Sequence, residues 1–409
     1  GQNALWHLVD VVNLVYGHAL IGEVQYLIVH VGVQVTLTAQ HFLGEILENG
    51  SEGCSYLLTV DPDMTTVGGY EMTSWDKGYG DFEMTPDLST LRPVPWHEAT
   101  VMVMADANWH GDDPVVASPR QILKRQLDRL EERGLIANAA TELEFIVFKD
   151  TYEDACKKGF RGLEPANLYN IDYSLLGSAR VEPLIRRIRN EMSAAGMVVE
   201  NSKGECNLGQ HEINFRYEDA LKTSDQHVIF KTGAKEIASQ EDCSLTFMAK
   251  WDEKEGSSCH IHISLADADG GNAFASDQEM FEHFIAGQLE HTLEMTLLYA
   301  PQINSYKRFA EGSFAPTAVT WGKDNRTLGL RVVSHGQGYR VESRIPGADA
   351  NPYLALAAKV AAGLHGIRNG LEPGDPYAGN GYEAEDLLRV PHTLVDAIGL
   401  LEGSTVARE

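Results

Sequence analysis

Four short stretches of this chain carry charged or imidazole side chains at every second position. "TELEFIVF" (residues 141–148) holds Glu142 and Glu144, "CHIHISL" holds His260, His262 and Ser264, and "YRVESRI" holds Arg340, Glu342 and Arg344. "ENSKGECNLGQHEINFRY" adds Glu200, Glu205 and Glu212 around a glycine-containing turn. Alternation with β-branched and aromatic residues reads as strand. On a strand, residues two apart share a face with Cα atoms roughly 6.6–6.8 Å apart. One such pair of glutamates is read most simply as a solvated strand end. Four strands with the same habit point instead to carboxylates aimed into a common site, where a cation offsets their repulsion.

Pooled, the candidate metal ligands are Glu142, Glu144, Glu205, Glu212, Glu342 and His260. This hard, oxygen-dominated set suits Mg²⁺ or Mn²⁺ and is too rich in carboxylate for structural zinc. Five carboxylates exceed the charge of one divalent ion, so two or three ions per site are expected. Arg308, Arg326, Arg331, Arg340 and Arg344 supply planar forks for carboxylate or phosphate oxygens. Clustered divalent ions with arginines describe phosphoryl transfer from a metal-bound nucleotide.

These residues need a scaffold. The 409-residue chain can bury a large core, and its composition of 43% hydrophobic and 22% charged residues is that of a globular protein. A formal charge of −26 argues against nucleic acid or an anionic membrane as partner. No apolar run is long enough for a membrane span: "VQYLIVHVGVQVTL" is interrupted by Gln25, His30 and Gln34. The first basic residue is Lys77, so no secretory leader is expected. Five widely spaced cysteines without a C-x-x-C suit a cytoplasmic location, and Cys206 and Cys259 read as small core residues facing away from the ligands.

Helix signals are clear at "SPRQILKRQLDRLEERG", where Ser118 caps, Pro119 fits the first turn and Gly134 ends the helix. Further helices are expected at 180–195, 219–240, 277–298 and 351–369. The first hundred residues read as small strands and loops, which sets a domain boundary near residue 100. The order of elements is that of an α+β fold. No phosphate-loop signature is present, and "SHGQGYR" is too slight for a dinucleotide fingerprint.

At this point the chain resembles the glutamine synthetase superfamily of ATP-dependent carboxylate–amine ligases. The matching stretches are "PDLSTLRPVPW", "TELEF", "GQHEINFRY", "TFMAK", "GSSCHIHISL", "NSYKRF", "WGKDNRTLGLR" and "RVESRIPGADANPYLALAA", spread from about residue 80 to about 370. The resemblance implies an N-terminal β-grasp domain (1–100) and a glutamine synthetase/guanido kinase-type catalytic domain (101–409). It also implies a homo-oligomer, a dodecamer of two stacked hexamers with sites between subunits. By the same resemblance, Glu144, Glu205 and Glu212 hold the ion on the amino-acid side, and Glu142, His260 and Glu342 hold the ion on the nucleotide phosphates. Glu200, Tyr217, His262, Ser264, Arg331 and Arg340 match positions that contact ATP. Gly256, Arg308, Arg326 and Arg344 match positions that hold glutamate or the transferring phosphoryl group, with Arg308 and Arg326 in catalytic roles. The implied reaction phosphorylates the γ-carboxylate of L-glutamate and lets an amine displace phosphate.

Three departures from the family pattern stand out. Where true glutamine synthetases place a site-closing Glu, "EGSFAP" has Phe314, which cannot take a proton but can line a pocket for a carbon chain. This resembles the γ-glutamylpolyamine and γ-glutamylethanolamide synthetases; the alternative keeps ammonia as substrate, with Glu311 swinging in. Residues 1–40 match poorly, so the residue that helps hold ammonium is hard to place, Asp61 and Asp63 being candidates. The C-terminal segment of relatives is missing, and the surroundings of Tyr382 differ enough that adenylylation is not expected there. A non-catalytic relative that forms the ring without turnover is the rival from another class, and a guanidino kinase shares the catalytic fold by analogy alone.

Overall fold

The computed structural model describes residues 26–30, 34–61, 64–111, 113–333 and 336–409. Asp63 lies outside them. The chain divides into two compact units, each with its own sheet. The first reaches to Ile122 and includes Glu191–Gly196; the second comprises Leu123–Asn190 and Met197–Glu409.

The sheet of the first unit is built from β1 (Tyr26–His30), β2 (Gln34–Thr38), β3 (Ser51–Cys54), β4 (Asp81–Pro93), β5 (Thr100–Trp109) and β6 (Asp113–Pro114). Its order is β2-β1-β5-β4-β3, with β6 on β5, and the β1–β5 pair is parallel. β5 is buried along most of its length, and one of its faces puts Val101, Val103, Ala105 and Ala107 into one core with Phe82, Met84, Phe42 and Ile46. Arg120, almost fully buried, is held by Asp87 at 2.7 Å and Asp106 at 2.6 Å.

The second unit carries the stretches with the alternating charges. Its strands are β7 (Ile136–Phe148), β8 (Val199–Gly204), β9 (Gln210–Phe215), β10 (Glu218–Asp219), β11 (Ser244–Thr246), β12 (Cys259–Ala266), β13 (Trp321–Lys323), β14 (Leu330–Val333) and β15 (Arg340–Ser343). The path runs β13-β14-β15-β12-β7-β9-β8, with β10 and β11 pairing to β7. The central β7 turns Leu143, Phe145 and Val147 into the core, where Phe145 meets Phe230 and Phe247.

The expected helices form close to their expected limits: α1 (Pro119–Glu131), α2 (Glu182–Ala194), α3 (Ala220–Gln240), α4 (Gln278–Tyr299) and α5 (Pro352–Asn369). The last three start at Asp219, Asp277 and Asn351, each accepting a backbone N–H from the first turn. Helices α4 and α5 pack backbone to backbone. A Cβ on Gly287 would lie 2.0 Å from the Ala362 carbonyl, and one on Gly366 would lie 2.0 Å from the His283 carbonyl. Among the described residues no helix is long and apolar enough to cross a membrane.

Two sequence expectations need correction. Arg344 falls one residue beyond β15 as a strand, although its side chain still reaches Glu342. Cys206 is neither on a strand nor a core residue: β8 ends at Gly204, and the half-buried thiol donates to Asp172 Oδ2 at 3.5 Å. A turn breaks strand parity, so the face of Cys206 cannot be counted from Glu205.

Candidate active site

Strand register converts the four stretches into rows that run across the sheet. In one row Arg331 of β14 pairs with Glu342 of β15, Glu342 with His262 of β12, and His262 with Ala140 of β7. In the next, His260 pairs with Glu142 and Glu142 with Asn214 of β9. In a third, Glu144 pairs with Glu212 and Glu212 with Lys203 of β8. Residues directly opposite on neighbouring strands have Cβ atoms about 4.5–5.5 Å apart, so the rows place side chains within direct reach.

The first two rows form one charged cluster. Glu142 accepts from His260 Nδ1 and from His262 Nε2, each at 3.0 Å. Burial opposes its charge, but these two imidazoles hold the carboxyl far below the ordinary range. Glu342 is fully buried and is gripped by Arg331 and Arg344. Burial is again overcome, by His260, Arg344 and His262, and the Glu342 carboxyl sits down at about 2. Burial together with Arg344 lowers the His260 pKa, so this imidazole is neutral at pH 7. Its buried Nε2 has no hydrogen-bond partner among the described residues. Both carboxylates approach Nδ1, Glu142 at 3.0 Å and Glu342 at 3.7 Å, and the bare Nε2 of a neutral imidazole beside them fits a ligand to a divalent ion. His262, which the resemblance assigns to ATP, also lies within 4.8 Å of Glu142 and Glu342 through one ligand atom each.

Around the third row gather Glu144, Glu212 and Glu205, the last just past the end of β8, each offering an oxygen within 4.8 Å of the others. Glu144 accepts from the Ser258 N–H at 2.8 Å and from Gln210 Nε2 at 3.1 Å. Burial and the neighbouring carboxylates push Glu144 well above the ordinary carboxylate range, and Glu205 likewise. Three carboxylates held together against their own repulsion also fit an ion. The donors are oxygens, which suits Mg²⁺ or Mn²⁺.

Arg308 is 1% exposed, with Nη1 donating to Ser258 Oγ at 3.1 Å and Nη2 to the Ile345 carbonyl. Gly256 makes room for it: a Cβ there would lie 2.4 Å from Arg308 Cγ. Arg340 donates to His262 Nδ1 at 3.1 Å. Phe314 lies in the left-handed region at φ 54° and is 58% exposed. Its carbonyl accepts from Arg344 at 3.5 Å. Glu311 is exposed on the same loop. Arg326 stands exposed on the turn between β13 and β14, without an ion pair among the described residues.

Beside the clusters opens a cleft of about 520 Å³ whose lining includes Glu200, Tyr217, His262, Ser264 and Arg340. Five of the six residues expected at ATP therefore share one cavity; Arg331 is bound instead to Asp324 and Glu342. The cleft is also lined by Asn138, Asn201, Asn214, Asn272 and Tyr339, which the sequence reading passed over. For Asn214 a signal existed, since it shares strand parity with Gln210 and Glu212. Lys203 was missed as well. Its Nζ lies on Glu205 and 3.1 Å from Glu212.

Comparison with known proteins agrees with this geometry. Residues 116–409 match the glutamine synthetase catalytic domain. The chain is 62% identical over 373 residues to the γ-glutamylethanolamide synthetase GlnA4 of Streptomyces coelicolor, covering 90% of this chain and 80% of that protein. It is 39% identical over 380 residues to a glutamate–isopropylamine ligase of a Pseudomonas species, covering 90% and 83%. A solved GmaS/ADP complex superposes with a TM-score of 0.82 at 27% identity, covering 94% of this chain and 89% of that one. The chain belongs to the glutamine synthetase family.

Proposed function

We propose that this member of the glutamine synthetase family is an ATP-dependent carbon–nitrogen ligase that joins the γ-carboxylate of L-glutamate to a small primary alkylamine or amino alcohol. Membership of the family and the likeness to two glutamate–amine ligases support the reaction class. The observation that carries the amine is Phe314. An ammonium site needs a carboxylate that binds the cation and takes its proton, and the family's closing Glu is replaced here by an apolar ring. An alkylamine gains instead from burial of its carbons, about 0.8 kcal/mol per methylene. The names of the relatives, an ethanolamide synthetase and an isopropylamine ligase, favour an amine of two or three carbons over a long polyamine.

In this reading the cleft holds ATP, with Tyr217 against the base and Arg340 toward the phosphates. Glu142, His260 and Glu342 hold one divalent ion, and Glu144, Glu205 and Glu212 hold another. Bound there, such ions neutralise phosphate charge and polarise the transferring group. Arg308 and Arg344 hold the glutamate and the phosphoryl group. A γ-carboxylate oxygen attacks the terminal phosphorus of ATP, and the P–O bond to ADP breaks. The amine, its ammonium proton first lost to water, then attacks the γ-carbonyl carbon; the C–O bond to phosphate breaks, phosphate leaves with the electron pair, and the nitrogen's surplus proton passes to the departing phosphate. Arg326, which the resemblance assigns to the phosphoryl group, belongs to the same reading. The small β-grasp domain at 1–100, the catalytic domain at 101–409, the dodecamer with sites between subunits, and the cytoplasmic location belong to the same reading.

The test is glutamate-dependent phosphate release from ATP, with amines running from ammonium through ethanolamine and isopropylamine to spermine. Ethanolamine or isopropylamine should give the highest kcat/KM. A best rate with ammonium would make this a glutamine synthetase proper and refute the Phe314 argument. No release with any amine would favour the non-catalytic relative.

A further inference from the structure

Lys203 lies among the carboxylates of the third row, at a position the family resemblance does not assign. Register sets it opposite Glu212, which is itself opposite Glu144, so an ammonium closes the row of two glutamates. Its Nζ contacts Glu205, lies 3.1 Å from Glu212 Oε1, and sits 5.3 Å from the centre of the Tyr173 ring. The two carboxylates are 13% and 2% exposed, and Lys203 is 23% exposed, so these charges are only weakly screened. Tyr173, by contrast, is 76% exposed on a left-handed turn at φ 51°. Lys203 thus spans two contacts, with buried carboxylates on one side and an exposed aromatic face on the other.

We propose that Lys203 is a tethered counter-ion of the Glu144–Glu205–Glu212 cluster, holding it together when no divalent ion is bound and giving way to the ion toward the Tyr173 ring. This rests on reading the cluster as an ion site. Like charges facing each other across strands destabilise a sheet, and three buried carboxylates without a cation would strain the β7–β9–β8 edge. The ammonium relieves that strain but occupies the oxygens an ion needs. Ion binding at this cluster is therefore an exchange, and its affinity is lower than three glutamates alone would give. The ring face accepts the displaced ammonium at cation–π distance, within about 6 Å of the centroid. Burial works against the Lys203 charge, but Glu212 and Glu205 more than offset it, so the side chain facing the three glutamates is an ammonium.

The experiment titrates Mn²⁺ alone into the full chain, without nucleotide or glutamate, following free Mn²⁺ by electron paramagnetic resonance. Lys203→Met should tighten one class of sites by about tenfold, the scale of one strong charge-assisted contact. It should also lower the Tm in chelator and enlarge the Tm gain on adding Mn²⁺. Lys203→Arg should leave both near wild type. Tyr173→Leu, which removes only the exposed ring, should weaken Mn²⁺ binding about two- to fivefold in the wild-type background. It should have no effect beside Lys203→Met. Unchanged or weaker Mn²⁺ binding in Lys203→Met overturns the proposal. If that variant does not fold, unchanged binding in Tyr173→Leu overturns it instead. A wild-type chain that binds no Mn²⁺ at all would refute the ion sites of the ligase reading, a separate outcome from the failure of Lys203 alone.

Discussion

Replacing Lys359 with Met should stabilise the protein, and more so in acid than in base. Lys359 lies on α5 and is 1% exposed, and its Nζ has no hydrogen-bond partner among the described residues. Its one favourable contact is the Tyr299 ring, 4.2 Å away. Burial pushes its pKa from 10.5 down to about 7. Below pH 7 the amine is protonated in both the folded and the unfolded chain, so the fold carries the whole cost of the buried charge. Between pH 7 and 10.5 the unfolded chain binds the extra proton, and stability rises with pH. Above 10.5 the contribution vanishes. The displacement corresponds to roughly 5 kcal/mol as a ceiling. A desolvated cation–π contact returns up to about 2 kcal/mol. A gain of about 2–3 kcal/mol is then expected for Lys359→Met at pH 6, since Met fills the volume and keeps a sulfur–aromatic contact. Calorimetric Tm against pH from 6 to 10 for both proteins is the assay. The two curves should converge toward high pH. Parallel curves, or a lower Tm for the variant at pH 6, would show that the ammonium finds a partner and that the reasoning is wrong.

Glu144→Gln keeps the shape that accepts from Ser258 and Gln210, so the fold should survive while turnover falls by more than the ~10–100-fold that loss of an outer-shell partner costs a metal site; a phosphate-release assay decides. Glu144→Ala should in addition lower stability by about 1–3 kcal/mol, because it strands buried donors. Phe314→Glu should move kcat/KM from ethanolamine toward ammonium by about tenfold, the worth of two buried methylenes. An unchanged ratio in the phosphate-release assay would remove Phe314 from the amine site. Gly287→Ala should destabilise by at least the ~1–3 kcal/mol of an overpacked core, since the new methyl meets a carbonyl and not a flexible side chain. A shift in urea midpoint at constant m-value would measure it.

Much of the site was legible because strands alternate with period two. Glu142, Glu144, His260, His262 and Glu342 could be assigned to faces by counting, and the register later set them side by side. Helices α3, α4 and α5 form where the sequence reading placed them, and the structure shows Asp219, Asp277 and Asn351 accepting first-turn N–H groups at their starts. The reading failed where parity breaks. Cys206 lies past the end of β8, so its orientation does not follow from its neighbours. Lys203 shares parity with Glu205, but a search for ligands selects carboxylates and imidazoles and passes over the cation between them. The asparagines of the cleft carry no charge to mark them, and their role emerges only from the cavity they line. Closure of α4 on α5 was hidden as well, because Gly287 and Gly366 meet from positions 79 residues apart in sequence.

The cross-strand rows also constrain how such a protein can evolve. Glu142, Glu212, His262 and Glu342 are indexed by backbone pairing on both sides, and Glu144 and His260 on one, so deleting one residue would turn a whole segment of carboxylates into the core and apolar residues into the site. Change on these strands is confined to substitution, one side chain at a time. The loop from Ala310 to Pro316 is under no such rule. It can lengthen, shorten or exchange Phe314 without shifting any row. Under the proposed function, a lineage built on this sheet could sample new amines through that loop without disturbing the rows, and inherited length variation should collect in loops of this kind and be nearly absent from the strands.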